Sequence, residues 1–215
     1  MKNYFKRSSS NDFLKVSPQE SIKNAVKFSN WQVTYGVVDL LIEFFDVKTF
    51  LEIGVAYGGH ATHILKKYKN LQYWGVDPYI ANYDQKDGFS NDVNKLFKNK
   101  KNQEAFDLLH YSVKVNLSTF GKRCNLHRTK SETFFKKNKK KFDLIYIDGD
   151  HRFPQVYSDL SNSWKFVKTG GVLCGDDYSW EGVKRAVVKF SEKNMVDYYL
   201  IERGDGGGQT FFFLR

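Results

Sequence analysis

Cysteine is nearly absent from this sequence. Cys124 and Cys174 are the two that 215 residues contain, and they stand far apart. A disulfide framework and a Cys-based zinc spacing are thereby excluded, and a reducing, cytoplasmic compartment is expected. Long apolar runs are missing as well. None approaches the roughly 20 residues that cross a bilayer, so no membrane span is expected. Met1–Ser10 is polar and basic with no apolar stretch behind it, which does not read as a secretory signal. The Gly-x-Gly-x-x-Gly fingerprint of dinucleotide enzymes does not occur after any expected strand.

What is present reads as a single globular domain over residues 1–215. Hydrophobic residues make up 41% and charged ones 27%. The formal charge is +10, with lysines concentrated at Lys95–Lys101 and Lys136–Lys141. Such a charge admits a nucleic-acid partner. Both clusters sit in polar stretches that read as solvated helix ends and loops, and net charge speaks to encounter and solubility rather than to fold. Nucleic acid is therefore the lesser partner expectation.

In chain order, Pro18 opens a cap helix carrying Ile22, Val26 and Phe28, and a second helix spans about Trp31 to Phe45, so residues 1–48 are expected as an N-terminal cap. Thr49–Gly54 is a buried strand ending in Glu52 and a glycine, followed by Gly58-Gly59 and helix-forming residues to Lys67. Strand, glycine turn and helix in that order make a nucleotide-type site, because glycine admits close backbone approach and the helix start offers free N–H groups. Glu52 is suited to a ligand ammonium. Gln72–Asp77 is a second strand ending in an acid, a position suited to ribose hydroxyls. Residues 78–101 form a long polar excursion read as a lid or acceptor-binding insertion.

A helix from about Gln103 to Val115 and a strand Asn125–Arg128 lead to the centre of the pattern. Phe142–Ile147 is an apolar strand that runs into Asp148-Gly149-Asp150-His151. Polar groups where a buried strand ends are where an open α/β sheet keeps its chemistry. Pro154 starts a helix whose Val156, Leu160, Trp164 and Val167 share a face and which Gly170-Gly171 is expected to end. The strand Val172–Cys174 then delivers Asp176 and Asp177. With Asp148 these make three converging carboxylates, which repel unless a cation lies among them, and oxygen ligands suit Mg2+, Mn2+ or Ca2+ rather than zinc. After a helix Trp180–Lys193, Asp197–Glu202 and Gln209–Leu214 read as a hairpin.

Glu52-Ile53-Gly54-Val55-Ala56-Tyr57-Gly58-Gly59, Gly75-Val76-Asp77, Ile147-Asp148-Gly149-Asp150-His151 and Gly175-Asp176-Asp177, in order, resemble a class I S-adenosylmethionine-dependent methyltransferase, and within that class the metal-dependent sugar O-methyltransferases of the macrocin and rhamnosyl kind. The resemblance covers roughly Phe50 to Arg215. It implies a Rossmann-like, mostly parallel seven-stranded sheet with helices on both faces and a C-terminal antiparallel hairpin. It implies that Glu52, Gly54, Tyr57 and Gly58 hold the methionine part of S-adenosylmethionine, Asp77 the ribose, and Ser131 with Glu132 the adenine neighbourhood. It implies a divalent cation on Asp148, Asp176 and Asp177, with Asp148 also beside the cofactor, and a sugar or glycan hydroxyl as acceptor. The base is Asp150 or His151. Imidazole is matched to neutral pH, whereas a closer position would favour the aspartate. Oligomeric state stays open, a homodimer included. A catechol-type O-methyltransferase, a nucleic-acid methyltransferase and a non-catalytic metal- or adenosine-binding sheet are the competing readings. Against the nucleic-acid reading, Asp148-Gly149-Asp150-His151 is not of the Pro-Pro-aromatic type.

Overall fold

The computed structural model describes residues 32–83, 88–98, 100–202 and 209–215. The expected cap helix from Pro18 and the loop 203–208 lie outside these residues. Seven strands form one sheet in the order β3-β2-β1-β4-β5-β7-β6. They are β1 (Thr49–Ile53), β2 (Gln72–Val76), β3 (Cys124–His127), β4 (Phe142–Ile147), β5 (Val167–Gly175), β6 (Tyr198–Glu202) and β7 (Gln209–Leu214). β3, β2, β1, β4 and β5 pair in parallel, and β7 is antiparallel to both β5 and β6. The seven helices of the described residues are α1 (Gln32–Phe44), α2 (Gly59–Lys67), α3 (Phe89–Leu96), α4 (Gln103–Ser118), α5 (Ser131–Lys137), α6 (Phe153–Trp164) and α7 (Glu181–Asn194).

Alternation along the central strands divides the core in two. Phe50, Tyr73, Leu144, Tyr146 and Val172 pack with residues of α1 to α4, whereas Leu51, Ile53, Ile145, Ile147 and Leu173 pack with those of α5 to α7. Burial on both faces is what a parallel sheet covered by crossover helices requires. Each fully buried side chain of this size contributes about 1.5–3 kcal/mol. The strands' carboxyl ends therefore converge on one edge of a rigid sheet.

One expectation about an element is corrected. α6 stops at Trp164, and Val167 pairs with Phe142 as the start of β5, so Gly170 and Gly171 lie inside a strand rather than ending a helix. The register shifts between Phe142 and Leu144, and a β-carbon on Gly171 would stand 2.7 Å from the Asp143 carbonyl oxygen. Gly170, at φ +77, fits the same irregularity. The polar excursion after Asp77 contains α3, whose Ser90, Val93 and Leu96 are buried, and it packs on α4 through Phe89 and Phe106 with rings 5.7 Å apart. Among its described residues it is a helix seated on the core.

Candidate active site

The turn after β1 is built on backbone conformations that only a few residues accept. Gly54 (φ +92), Ala56 (φ +48) and Gly58 (φ +72) all lie in the left-handed region. At Gly54 a β-carbon would fall 2.1 Å from the carbonyl oxygen of Asp148. The turn and the start of the Asp148–His151 segment are thus in backbone contact, fixed further by the Asp148 N–H donating to the Ile53 carbonyl at 2.8 Å.

Asp77 holds this turn from the neighbouring strand. Its Oδ2 accepts the N–H groups of Val55 and Ala56 at 2.9 and 3.0 Å, and its Oδ1 accepts that of Tyr79 at 2.7 Å. Desolvation raises its pKa above the ordinary carboxylate value against the pull of those three donors. Tyr79, at φ +49 and 1% exposed, completes the brace by donating its hydroxyl to the Ala56 carbonyl at 3.2 Å. Sequence reading missed Tyr79. Its position two residues after a strand-end acid was the available sign, since such an acid commonly bonds its own backbone two residues on. Tyr57, 7% exposed, packs its ring 5.3 Å from Phe89 of α3.

Glu52 lies within the core at the end of β1. It is 2% exposed; its Oε1 lies 2.7 Å from His60 Nδ1 and its Oε2 accepts the Tyr73 hydroxyl. Both oxygens are engaged by core groups from α2 and β2. The structure makes it a buried anchor among those elements, because a carboxylate beneath the sheet end must find partners there. Ser131 is likewise turned to a structural contact. It is 6% exposed and donates its hydroxyl to Asp159 of α6, to which Gln155 Nε2 also donates at 3.2 Å. Burial first of all drives Asp159 up to about 7, and Glu132 adds to the rise through its charge.

The carboxyl ends of β4 and β5 bring together the remaining candidates. Asp148, Asp150, His151 and Asp176 line one narrow cleft with Val183 and Phe211. At its edge, ligand atoms of Asp148, His151 and Asp177 all lie within 4.8 Å of one another. Asp176, expected as the third metal acid, is not in that group. It is 7% exposed and its Oδ1 accepts the Thr210 hydroxyl of β7 at 3.4 Å. His151 thus adds an imidazole beside the strand-end carboxylates. Asp148 reaches solvent at the cleft mouth, yet its pKa is held well above the ordinary range by desolvation and then by the charges of Asp176 and Asp177. Such mutual repulsion is what a cation relieves, and two carboxylates with an imidazole are a donor set that fits a divalent ion.

His151 and Asp150 are distinguished by their partners. His151 Nε2 lies 3.0 Å from Asp177 Oδ2, and the ring packs on Trp180 with centroids 4.5 Å apart. Asp177 itself adopts φ +56, a strained setting for a residue with a β-carbon. Asp150 is clamped by Arg152, which gives it the backbone N–H at 2.8 Å, Nε at 3.0 Å to both oxygens, and a guanidinium NH2. Trp180 and Arg152 were not foreseen. The role of Trp180 depends on how the starts of α6 and α7 meet, which no local pattern displays, whereas Arg152 acts on Asp150 two residues before it.

Comparison with known proteins agrees with this architecture. A family described as methyltransferase domain matches residues 51–178. An uncharacterized protein of Acanthamoeba polyphaga mimivirus is 29% identical over 137 residues, 62% of this chain and 52% of that protein; the chain spans about half the length of this curated relative. Among solved structures, a proposed caffeoyl-CoA O-methyltransferase from Staphylococcus aureus has a TM-score of 0.63 at 14% identity, covering 94% of both chains. A Podospora anserina methyltransferase with S-adenosylhomocysteine bound has 0.57 at 15%, covering 99% of this chain and 91% of its own. Human N-acetylserotonin methyltransferase in complex with S-adenosylmethionine has 0.57 at 11%, covering 97% and 60%. These likenesses are of fold, and the family match spans more than half of the residues. The chain belongs to the methyltransferase domain family.

Proposed function

We propose that the protein transfers the methyl group of S-adenosylmethionine to a hydroxyl oxygen, that of a sugar or glycan, beside a divalent cation such as Mg2+ or Mn2+ held by Asp148 and Asp177. The observation that carries this reading is the close packing at Gly54, where an added β-carbon would fall 2.1 Å from the Asp148 carbonyl oxygen, which sets the glycine turn against the acid cleft. A donor on the turn and a hydroxyl at the acids then meet at reacting distance, which is the largest entropic contribution a protein can make to a two-substrate reaction. Gly54, Tyr57, Gly58 and the Asp77 brace would hold the donor, with Glu132 on its adenine side. S-adenosylmethionine supplies a methyl carbon activated by sulfonium, and a divalent cation makes a coordinated hydroxyl more acidic.

His151 receives the hydroxyl proton in this reading. Its Nε2 faces the acid cluster, and Asp177 beside it at 3.0 Å stabilises the imidazolium that forms. The C–O bond forms as the C–S bond breaks, with no covalent enzyme intermediate. Asp150, its oxygens already taken by Arg152, is the poorer acceptor.

A catechol hydroxyl is the second reading, favoured by Trp180. It is 37% exposed beside His151 and offers a ring face to a flat acceptor. Incubation of sugars, catechols and RNA with labelled S-adenosylmethionine separates the two. Label on sugars that chelation abolishes and Mg2+ or Mn2+ restores supports the proposal. Label on catechols alone transfers the assignment to the second reading, and full activity after exhaustive chelation removes the cation from it.

A further inference from the structure

The lysines that follow α5 take no part in the chemistry above, yet the chain concentrates charge there. Lys137, Lys139 and Lys140, with Thr129, Thr133 and Phe134, line a groove of about 620 Å³ between α5 and the edge strand β3. Binding sites for small molecules typically fall between roughly 300 and 1,000 Å³. Asn138 fixes the turn that carries two of these lysines, its Nδ2 donating to the Lys140 carbonyl at 2.7 Å and its Oδ1 accepting the Lys140 N–H at 3.1 Å. Lys140 is further held over the Trp74 ring at 4.6 Å.

Among the described residues no carboxylate pairs with these lysines: the lysine ion pairs are made by Lys48, Lys67, Lys95, Lys100 and Lys168, and none by Lys136 to Lys141. Like charges gathered on one turn favour an anion among them. The opposite wall is different in character. His127 also lines the groove, with its ring 5.2 Å from Phe134, and its Nε2 is shielded from water without a hydrogen-bond partner. Burial lowers the His127 pKa, so this wall is aromatic and neutral at physiological pH.

We infer that the groove binds a small phosphate-bearing ligand with a planar ring, of the nucleoside diphosphate class: phosphate on the lysines and threonine hydroxyls, ring against Phe134 and His127. The groove's His127–Thr129 end borders the Asp77 brace, the Thr129 N–H donating to the Asp77 carbonyl at 3.2 Å, whereas its lysine end stands away from the acid cleft. Lys139 and Lys140 precede the amino end of β4, whose six residues, roughly 20 Å at about 3.3 Å each, stand between them and Asp148.

Calorimetric titration of the full chain with ADP tests this without any methyl-transfer assay, so its outcome does not depend on the proposed activity. Binding is expected, weakened about tenfold or more in the combined Lys137→Gln, Lys139→Gln, Lys140→Gln variant and unaffected by saturating S-adenosylhomocysteine. Lys139→Gln alone, at an exposed position, serves if the triple variant does not fold, and is expected to weaken binding measurably. Absence of heat at millimolar ADP, equal affinity in the variants, or displacement of ADP by S-adenosylhomocysteine overturns the assignment. Single-stranded RNA binding far more tightly than ADP overturns it as well, in favour of a nucleic-acid surface.

Discussion

His151 and Asp150 are neighbours with opposite circumstances, and the difference is measurable. His151→Ala is expected to lose on the order of 10²-fold in turnover at saturating donor and cation, the usual cost of removing a general base. Asp150→Asn, which loosens a pair with Arg152, is expected to lose far less. Donor and cation affinities should be recorded for the same variants. If cation affinity falls in step with turnover in His151→Ala, the imidazole ligates the ion and the proton acceptor lies elsewhere. Asp159 gives a second prediction at this scale. Its pKa stands near 7 in the folded protein against 3.8 unfolded, so between those values the folded state holds the extra proton and stability falls as pH rises. The loss is complete above pH 7 and amounts to at most about 4 kcal/mol. Asp159→Asn is expected to flatten the urea midpoint from pH 4 to pH 7 relative to the unmodified protein; an unchanged profile would show that the carboxyl is ionised throughout. Asp148, Asp150, His151 and Asp177 were legible because they stand at strand ends. The core partners of Glu52 were not legible, because a strand-end acid and a core acid look alike until the residues across the sheet, here His60 and Tyr73, are known.

Elements constrain substitutions through what they pack against. Gly54→Ala places a β-carbon on the Asp148 backbone in a left-handed conformation, and neither neighbour is free to yield. A loss of about 1–3 kcal/mol from backbone strain, with further cost from the clash, is expected in denaturant unfolding, together with loss of donor binding. At Gly58 the β-carbon meets the buried Val113 methyl of α4 at 2.9 Å in a left-handed conformation, so even a small substituent is strained there and a large one invades the core. Trp180→Ala removes the ring on which His151 packs and is expected to lower turnover more than it raises the Michaelis constant, with Trp180→Phe retaining much of the rate. An equal loss in both variants would show that an aromatic face beside His151 is not what Trp180 contributes. The strands and most helices were readable from periodicity, whereas the start of β5 was not. Val167 continues the helical face of Val156, Leu160 and Trp164, and only pairing with Phe142 reveals it as strand.

For the molecule as a whole, a donor that binds the folded state alone raises the melting temperature. At 100 times its dissociation constant S-adenosylmethionine is expected to stabilise by about 2.7 kcal/mol, several degrees for a chain of this size. No shift at millimolar ligand would remove the donor assignment. The order of strands carries a consequence of its own. β7 lies between β5 and β6 in the sheet but follows both in the chain, and more than thirty residues separate Gly175 from Gln209. A ribosome adding roughly 5–20 residues per second needs seconds to cover that distance. Throughout that interval the nascent β5 has an open edge beside Leu173 and Cys174, the kind of edge that pairs with other chains. Asp176 meanwhile lacks Thr210, and Tyr178 lacks the Gln209 carbonyl that accepts its N–H. The acid cleft is consequently among the last parts of the protein to be completed during synthesis, and a chain stalled before β7 would be both inactive and prone to aggregate.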